Sequence, residues 1–381
     1  MTPVEPGSHV SGVPRFWHTA PWHFAAMLAI LGIVAWLSPP PFPTDQLMME
    51  HVGQGVIIPG CSDLNCFRML VPATVELFPG PSLPRWRAYA VLANAAAAVA
   101  TGRLALALGL TPRAATLAIW LSALGAGSFS TINHPYNADP LVLFFAPVTT
   151  LFLLGGRAAA AGVLASVGIF AKEFAAAPLF IAAGAAALGR EWSAFRRGLV
   201  LAVGVTGLWV CLQLVLMAAF QYSYNQNPSS RPLEGGYLIY WIRSMTPATA
   251  FFAIFGTYGA LYLMMPSGLW LAPERLRHLA IAALPAALAF AYVATPERAL
   301  WNFYFLVIPL AALVLAHLPA APAWAFVACY GMANLRIGAQ VPGIPSSRYA
   351  LVISLVIAAA AVLCASRTPL LTSPGLENAR P

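Results

Sequence analysis

Residues 198–220 read GLVLAVGVTGLWVCLQLVLMAAF, a run of 23 positions without one Asp, Glu, Lys or Arg. A helix of that length rises about 35 Å, which exceeds the roughly 30 Å hydrocarbon core of a bilayer. Apolar stretches of 14 to 23 residues recur along the chain, separated by short turns rich in Pro, Gly and Arg. This pattern predicts an all-α fold, a polytopic transmembrane helical bundle of about 11–12 membrane segments.

The composition excludes a soluble enzyme. Of the 381 residues, 60% are hydrophobic and 8% are charged, whereas soluble globular chains carry about 25% charged residues. The 20 Lys and Arg and the 12 Asp and Glu side chains cannot cover a water-facing surface of this size. The net charge of +8 comes from basic residues scattered singly, so no nucleic-acid partner is predicted.

The apolar stretches define one transmembrane domain, 19–366, with a cytoplasmic N-terminal segment at 1–18 and a cytoplasmic tail at 367–381. The first span is Phe24–Leu37, and it is uncleaved because no small-residue cleavage site follows it. Beyond a loop and a hairpin, further spans are predicted at 88–110, 114–132, 139–154, 198–220, 247–265, 279–293, 301–317, 322–335 and 348–366.

Two segments do not fit a simple span. Residues 39–86 are too polar and too interrupted to cross lipid, so they form a large first loop with short amphipathic helices. Residues 158–188 are apolar but interrupted by Lys172 and Glu173, which leaves two halves of about 14 residues, too short for a full crossing. They predict a short-helix hairpin with both charges at its apex; one long tilted helix with an internal ion pair is the alternative.

The loop charges predict the orientation of the bundle. Lys and Arg side chains number 11 on one side and 9 on the other. Under the positive-inside rule the richer side, which includes both termini, is cytoplasmic. The loop 39–86 and eight of the 12 acidic side chains then lie on the extracytoplasmic side. Chemistry is therefore expected at that side of the membrane.

Several charged positions are candidates for chemistry, since a charge at membrane depth needs a partner or a wet cavity. Asp45, eight residues past the first span, is either solvated or a base that takes the proton of an acceptor hydroxyl. Arg68 suits a phosphate and equally suits lipid headgroups. Asp139 either caps a helix or lines a site. Lys172 and Glu173 form either a neutral pair that supports the turn or a polar site wall.

Two further features leave alternatives open. Glu297 and Arg298, which precede Trp301, either form a rim pair or reach a cavity. Cys61 and Cys66 either close a small disulfide or remain two free thiols.

Four elements follow one another within residues 20–190: an acid after the first span (Asp45), Arg68-x-Leu70-x-Pro72, Tyr136-Asn137-x-Asp139-Pro140, and Lys172-Glu173 at the end of a short helix. Together they resemble the polytopic bacterial glycosyltransferases of the C superfamily (GT-C), which use lipid-phosphosugar donors. The resemblance implies an all-helical membrane bundle whose first external loop supplies an acidic base.

The same resemblance implies roles for individual residues. Asp45 is the expected catalytic base, and Glu50 is a weaker second candidate. Arg68 and Lys172 are the expected ligands of the donor phosphate. The expected site wall consists of His134, Tyr136, Asn137, Asp139 and Glu173. No metal site and no cofactor are predicted.

The implied function is sugar transfer from a polyprenyl-phosphate-linked donor to an extracytoplasmic glycan or lipid acceptor. The implied location is the inner (cytoplasmic) membrane of a bacterium, with membrane lipids as further partners. Two alternatives are a polytopic transporter or lipid flippase and a non-catalytic component of envelope polysaccharide assembly.

Overall fold

The computed structural model describes residues 13–41, 45–223, 246–248, 255–290, 296–338, 341 and 347–367. Within these ranges the regular secondary structure is helical, and no strand occurs. The predicted all-α helical bundle is therefore confirmed. A helix satisfies its own backbone N–H and C=O groups, which is what a chain surrounded by hydrocarbon requires.

Helices of very different lengths follow one another along the chain. The first part of the chain forms α1 (Val13–Leu37), α2 (Gln46–Gly53), α3 (Leu70–Glu76), α4 (Ser82–Ala107), α5 (Pro112–Ala123), α6 (Ala126–Asn133), α7 (Asp139–Leu154), α8 (Ala158–Gly168) and α9 (Ala177–Leu188). The second part forms α10 (Trp192–Phe220), α11 (Leu261–Leu271), α12 (Glu274–Phe290), α13 (Pro296–Trp301), α14 (Tyr304–Leu315), α15 (Ala320–Ile337) and α16 (Ser347–Arg367). Two 3₁₀ turns lie at Leu64–Phe67 and Glu173–Ala176.

Five helical segments are long and apolar enough to cross a membrane, by length and composition: α1, α4, the consecutive pair α5 and α6, α10, and α16. They indicate a membrane protein, as the sequence predicts. A second group is apolar but shorter, at 10–17 residues, and comprises α7, α8, α11, α14 and the segment Glu173–Leu188. Helices this short do not cross the hydrocarbon core alone. The ends of each short helix must therefore be surrounded by other parts of the protein.

The bundle has central and peripheral helices. α14, of sequence YFLVIPLAALVL, is buried at nearly every position. In the apolar part of the α5 and α6 pair, 78% of the residues are buried inside the protein, and in that of α4 the share is 61%. The corresponding share is 22% in α10 and 28% in α16. A helix that is apolar all round suits a protein core and a lipid environment equally. The sequence therefore does not distinguish the central helices from the peripheral ones.

Close helix contacts in the core depend on two glycines. A Cβ atom on Gly102 of α4 would overlap Cγ1 of Ile119 in α5. A Cβ atom on Gly268 of α11 would lie 2.5 Å from the carbonyl oxygen of Leu310 in α14. Small residues let apolar helices approach closely enough for van der Waals packing, which is a main source of helix association in a membrane.

The first loop is shorter than the predicted range of 39–86. α4 begins at Ser82, because Pro84 lies in its first turn, where a missing N–H costs no helical hydrogen bond. The short helices predicted within the loop are present as α2, α3 and the 3₁₀ turn at Leu64–Phe67.

Residues 158–188 form two short helices, α8 and α9, that are separated at Lys172 and Glu173. The helix break therefore lies where the sequence predicts it, and the alternative of one long tilted helix is wrong. The span predicted at 114–132 lies within the membrane-spanning segment Pro112–Asn133, which is interrupted at Leu124 and Gly125 and so consists of two helices, α5 and α6.

The termini are described only in part. Residues 13–18, which the sequence places before the transmembrane domain, already belong to α1. The remaining N-terminal residues, 1–12, and the tail beyond Arg367 lie outside the described residues, as do positions 249–254 of the predicted span 247–265.

We expect Gly268→Ala to destabilise the protein, because the Leu310 carbonyl oxygen in its way belongs to the backbone of a central helix. Overpacking of this kind typically costs about 1–3 kcal/mol. Gly204→Ala in α10 is the matched control, since nothing lies within 4 Å of its Cβ position. Thermal unfolding of the purified protein in detergent measures both variants. Equal midpoints would contradict the close contact between α11 and α14.

Candidate functional site

The first loop and one end of the bundle enclose a cavity of about 120 Å³, which we call the loop cavity. Asp45 immediately precedes α2, is partly buried, and makes no capping hydrogen bond to that helix. The lining residues are Pro41, Asp45, Ser130, Thr131, His134, Tyr136, Asn137, Arg298 and Trp301. Four residues predicted from the sequence, Asp45, His134, Tyr136 and Asn137, thus share one cavity.

The turn between α6 and α7 brings His134 and Tyr136 to the loop cavity. Asn137 organises this turn. Its side-chain amide donates to the His134 carbonyl oxygen, and its side-chain oxygen accepts a hydrogen bond of 3.0 Å from the Asp139 backbone N–H. Asn stabilises turns in this way because its side chain bonds to nearby backbone groups. Asn137 therefore shapes the cavity wall as well as lining it.

The Asp139 carboxylate is buried and binds two cations. Its Oδ1 accepts a hydrogen bond of 2.5 Å from Lys172 Nζ. Its Oδ2 accepts one of 3.0 Å from Arg298 Nε, and Arg298 Nη2 also lies 3.0 Å away. The helix-capping alternative is wrong, because Ala138 occupies the N-cap position of α7. Asp139 adjoins the loop cavity through Arg298.

Lys172 and Glu173 do not pair with each other. Lys172 has an extended backbone, with φ −166° and ψ 143°, so the two consecutive side chains point to opposite sides. Lys172 pairs with Asp139, whereas Glu173 Oε1 accepts a hydrogen bond of 3.3 Å from Arg68 Nη2. The predicted neutral pair at the turn is therefore wrong, and each charge has a partner in another part of the chain.

The first loop is attached to the break between α8 and α9. The ion pair of Arg68 with Glu173 joins the two segments through side chains. The Leu70 backbone N–H donates to the Phe170 carbonyl oxygen at 3.0 Å, which joins them through the backbone. These contacts fix the loop relative to Lys172 and Asp139.

A second attachment involves the Cys61–Cys66 disulfide, which the structure contains. Beside it, the Gly60 N–H donates to the Phe220 carbonyl oxygen at 3.0 Å, and the Ser223 N–H donates to the Cys61 carbonyl oxygen at 2.9 Å. The loop is thereby held against the end of α10.

Glu50 does not line the loop cavity. Its Oε1 accepts hydrogen bonds from Ser82 Oγ and, at 2.9 Å, from Gln46 Nε2. Asp45 and Glu50 are five residues apart, so their directions around a helix differ by about 140°. This angle explains why only one of the two acids reaches the cavity. Glu50 is connected to the cavity wall indirectly, since Ser82 Oγ also lies 3.4 Å from the Tyr136 hydroxyl.

Arg298 lines the loop cavity but is not among the site residues that the resemblance implies. α13 carries it to a position where it lines the loop cavity and also binds Asp139. Of the two sequence alternatives, Arg298 therefore reaches a cavity, while the Glu297 side chain lies outside the described part of the structure. The signal in the sequence was a cation next to an apolar helix, which requires an anionic partner at membrane depth.

Burial changes the pKa values of Asp45 and His134, which both line the cavity. It raises the pKa of Asp45 above that of a solvated Asp, and the charge of Arg298 opposes part of that rise. Burial and the charge of Arg298 both lower the pKa of His134, so the imidazole is neutral at pH 7. Asp45 is thus a stronger base than a solvated Asp, and it shares the cavity with a guanidinium that can bind an anion.

No protein-family model matches the chain, and no curated protein matches it. Within the described residues, no group of three His, Cys, Asp or Glu side chains could hold a metal ion. The loop cavity and the ion pairs beside it are therefore the features that indicate a function.

Asp139→Asn should strongly destabilise the protein, because it leaves Lys172 and Arg298 without their shared carboxylate. Removing one partner of a buried ion pair typically costs about 3–5 kcal/mol. Glu274→Gln is the control, since Glu274 is exposed and lies 3.9 Å from its partner His278. It should change stability by no more than about 0.5 kcal/mol.

Thermal unfolding in detergent compares these variants. The double variant Asp139→Asn/Lys172→Met should recover part of the loss, because one unpaired buried cation is removed with the anion. If Asp139→Asn unfolds at the same temperature as Glu274→Gln, the ion pairs contribute nothing to the fold.

Proposed function

We propose that this protein is a membrane glycosyltransferase that moves a sugar from a polyprenyl-phosphate-linked donor to an extracytoplasmic glycan or lipid acceptor. The observation that supports this most is that the Asp45 carboxylate and the Arg298 guanidinium line the same cavity. A base for the acceptor hydroxyl and a cation for the departing phosphate are the two groups that such a transfer needs. The apolar helices of the bundle suit a donor with a polyprenyl chain.

In the proposed reaction, Asp45 accepts the proton of the acceptor hydroxyl. The acceptor oxygen forms a bond to the anomeric carbon of the donor sugar. The bond between that carbon and the phosphate oxygen breaks, and its electron pair leaves with the polyprenyl phosphate. Arg298 stabilises the negative charge that develops on the phosphate. His134 and Tyr136 line the cavity and provide hydrogen-bonding groups for sugar hydroxyls.

The structure changes which cation we assign to the phosphate. The sequence pointed to Arg68 and Lys172, but neither of them lines the loop cavity, and they pair with Glu173 and Asp139. Arg298 lines the cavity itself. Lys172 shares the Asp139 carboxylate with Arg298, so we assign Lys172 and Asp139 to positioning Arg298, and Arg298 to binding the phosphate.

The proposal includes a location. We place the loop end of the bundle on the extracytoplasmic side of a bacterial inner membrane, where the acceptor is reached. A transporter or flippase, or a non-catalytic assembly component, would share the apolar helices but would not require an ionised Asp45. The functional role of this one carboxylate therefore separates the proposal from its alternatives.

Asp45→Asn should reduce transfer by about 10²–10⁴-fold, because the amide cannot accept the acceptor proton. The measurement is loss of label from a labelled polyprenyl-phosphate hexose in membrane vesicles that contain the full chain and native lipid and glycan acceptors. Asp63→Asn is the matched control in the same loop. Asp63 caps the 3₁₀ turn through the Asn65 N–H at 2.8 Å, and Asn is an equally good cap, so transfer should persist. Full transfer by Asp45→Asn would remove the base from the mechanism.

Transfer by the wild-type protein should rise with pH and then level off, because Asp45 must be ionised to act as a base. Burial raises the pKa of Asp45, so the rise should lie above roughly pH 3.9, the value for a solvated Asp. The measurement is kcat/KM of transfer against pH in proteoliposomes. The rise should persist in His134→Gln. If the increase of kcat/KM with pH disappears in that variant, the titrating group is the His134 imidazole, which would contradict the assignment of Asp45 as the base.

A further inference from the structure

A second cavity, of about 220 Å³, lies at the end of the bundle opposite the loop cavity. α7 connects the two regions. Asp139 is its first residue, and Thr150, Leu153 and Leu154 near its other end line the second cavity. A helix of 16 residues rises about 24 Å. The two cavities are therefore separated by most of the thickness of a hydrocarbon core.

Small and apolar side chains form the inner wall of the second cavity. Ala182, Ala183 and Ala186 come from α9, and Gly198 comes from α10. A Cβ atom on Gly198 would lie 3.2 Å from the Ala183 Cβ, so the two helices meet closely at the base of the crevice. Leucines from three helices complete the apolar lining: Leu153, Leu154, Leu201 and Leu279. Such a wall suits a hydrocarbon chain.

Cationic side chains lie at the outer part of the same cavity. Arg197 of α10 and Arg275 of α12 line it, together with His278 and one acid, Glu191. Arg275 is exposed, and among the described residues it makes no ion pair. Arg197 donates one hydrogen bond from Nε, to the Ser193 carbonyl oxygen at 3.3 Å, which uses one of its five donors. Two guanidinium groups beside an apolar crevice match the chemistry of a phosphate joined to a hydrocarbon chain.

Exposed tryptophans occur at this end of the bundle. Trp192, the first residue of α10, is 60% exposed, and Trp270, near the end of α11, is 70% exposed. Trp side chains collect at the level of the lipid headgroups. The arginines of the second cavity therefore lie near headgroup level, and its apolar wall extends into the bundle.

We propose that the second cavity binds an anionic phospholipid of the surrounding bilayer. The lipid phosphate lies between Arg197 and Arg275, and the first part of one acyl chain lies along the alanines of α9. The volume of 220 Å³ is below the 300–1,000 Å³ typical of pockets that enclose a whole ligand, so most of the lipid stays in the bilayer. This site is independent of the proposed sugar transfer, because it lies at the opposite end of the bundle.

The test measures phosphatidylglycerol binding to the purified full chain in detergent, by native mass spectrometry of the retained lipid. Arg197→Gln/Arg275→Gln should weaken binding by about tenfold or more, since each arginine contributes to holding the headgroup. Arg196→Gln is the matched control, because Arg196 is an exposed neighbour on the same helix that does not line the cavity. Ala186→Leu should also weaken binding by filling the crevice while leaving both arginines in place.

Three further ligands decide the chemical class: phosphatidylcholine with the same acyl chains, inorganic phosphate, and a short polyprenyl phosphate. Phosphatidylcholine should bind more weakly than phosphatidylglycerol because it has no net charge, and inorganic phosphate because it has no hydrocarbon chain. The polyprenyl phosphate should also bind more weakly, because its methyl-branched chain fits less well than a straight acyl chain against closely spaced alanines. Equal or tighter binding of any one of them would overturn the proposal. So would equal affinities in the double variant and in Arg196→Gln. The single variant Arg275→Gln changes an exposed side chain without an ion pair among the described residues, so it provides the same comparison if the double variant does not fold.

Discussion

The site depends on one buried carboxylate. Asp139 is 1% exposed and holds Lys172 and Arg298, which lie 33 and 159 positions away in the sequence. A buried charge without a partner is expensive, and the expense is greater inside a membrane. The fold must therefore bring α7, the break between α8 and α9, and α13 together at this point. Arg298 reaches the loop cavity because Asp139 holds it there.

The first loop takes its position from the same ion-pair network. Arg68 pairs with Glu173, the residue next to Lys172, and the Cys61–Cys66 disulfide region is bonded to the end of α10. At the start of the loop, Arg87 Nη2 donates to the Ser38 and Pro39 carbonyl oxygens at 3.0 and 2.8 Å, which fixes the exit from α1. With three attachments, the loop presents Asp45 to a preformed cavity. The geometry of the proposed base therefore follows from contacts made elsewhere.

Local features of the fold could be predicted from the sequence, and long-range pairings could not. Apolar length and interruption were sufficient for the helical class and for the helix break at Lys172, because both depend on neighbouring residues. The partners of the charges were not predictable, because Arg68 and Glu173 are 105 positions apart. Adjacent Lys172 and Glu173 looked like a pair, but an extended backbone turns their side chains apart. The partner of Arg298 was not predictable for the same reason, since Asp139 lies 159 positions away.

The charges beside the loop cavity also favour one type of donor within the proposed function. Asp45, Asp139 and Glu173 are balanced by Arg68, Lys172 and Arg298. When Asp45 accepts a proton, the charge of this set rises by one unit. A sugar phosphodiester carries one negative charge, and the phosphate monoester that leaves carries close to two at neutral pH. The protein and the leaving group therefore change charge by similar amounts in opposite directions, and the increase occurs beside Arg298, where the phosphate is held. The charged set is neutral before the reaction, so a donor with a single phosphate adds one uncompensated negative charge beside it and a diphosphate-linked donor adds two. The smaller excess favours a donor with a single phosphate.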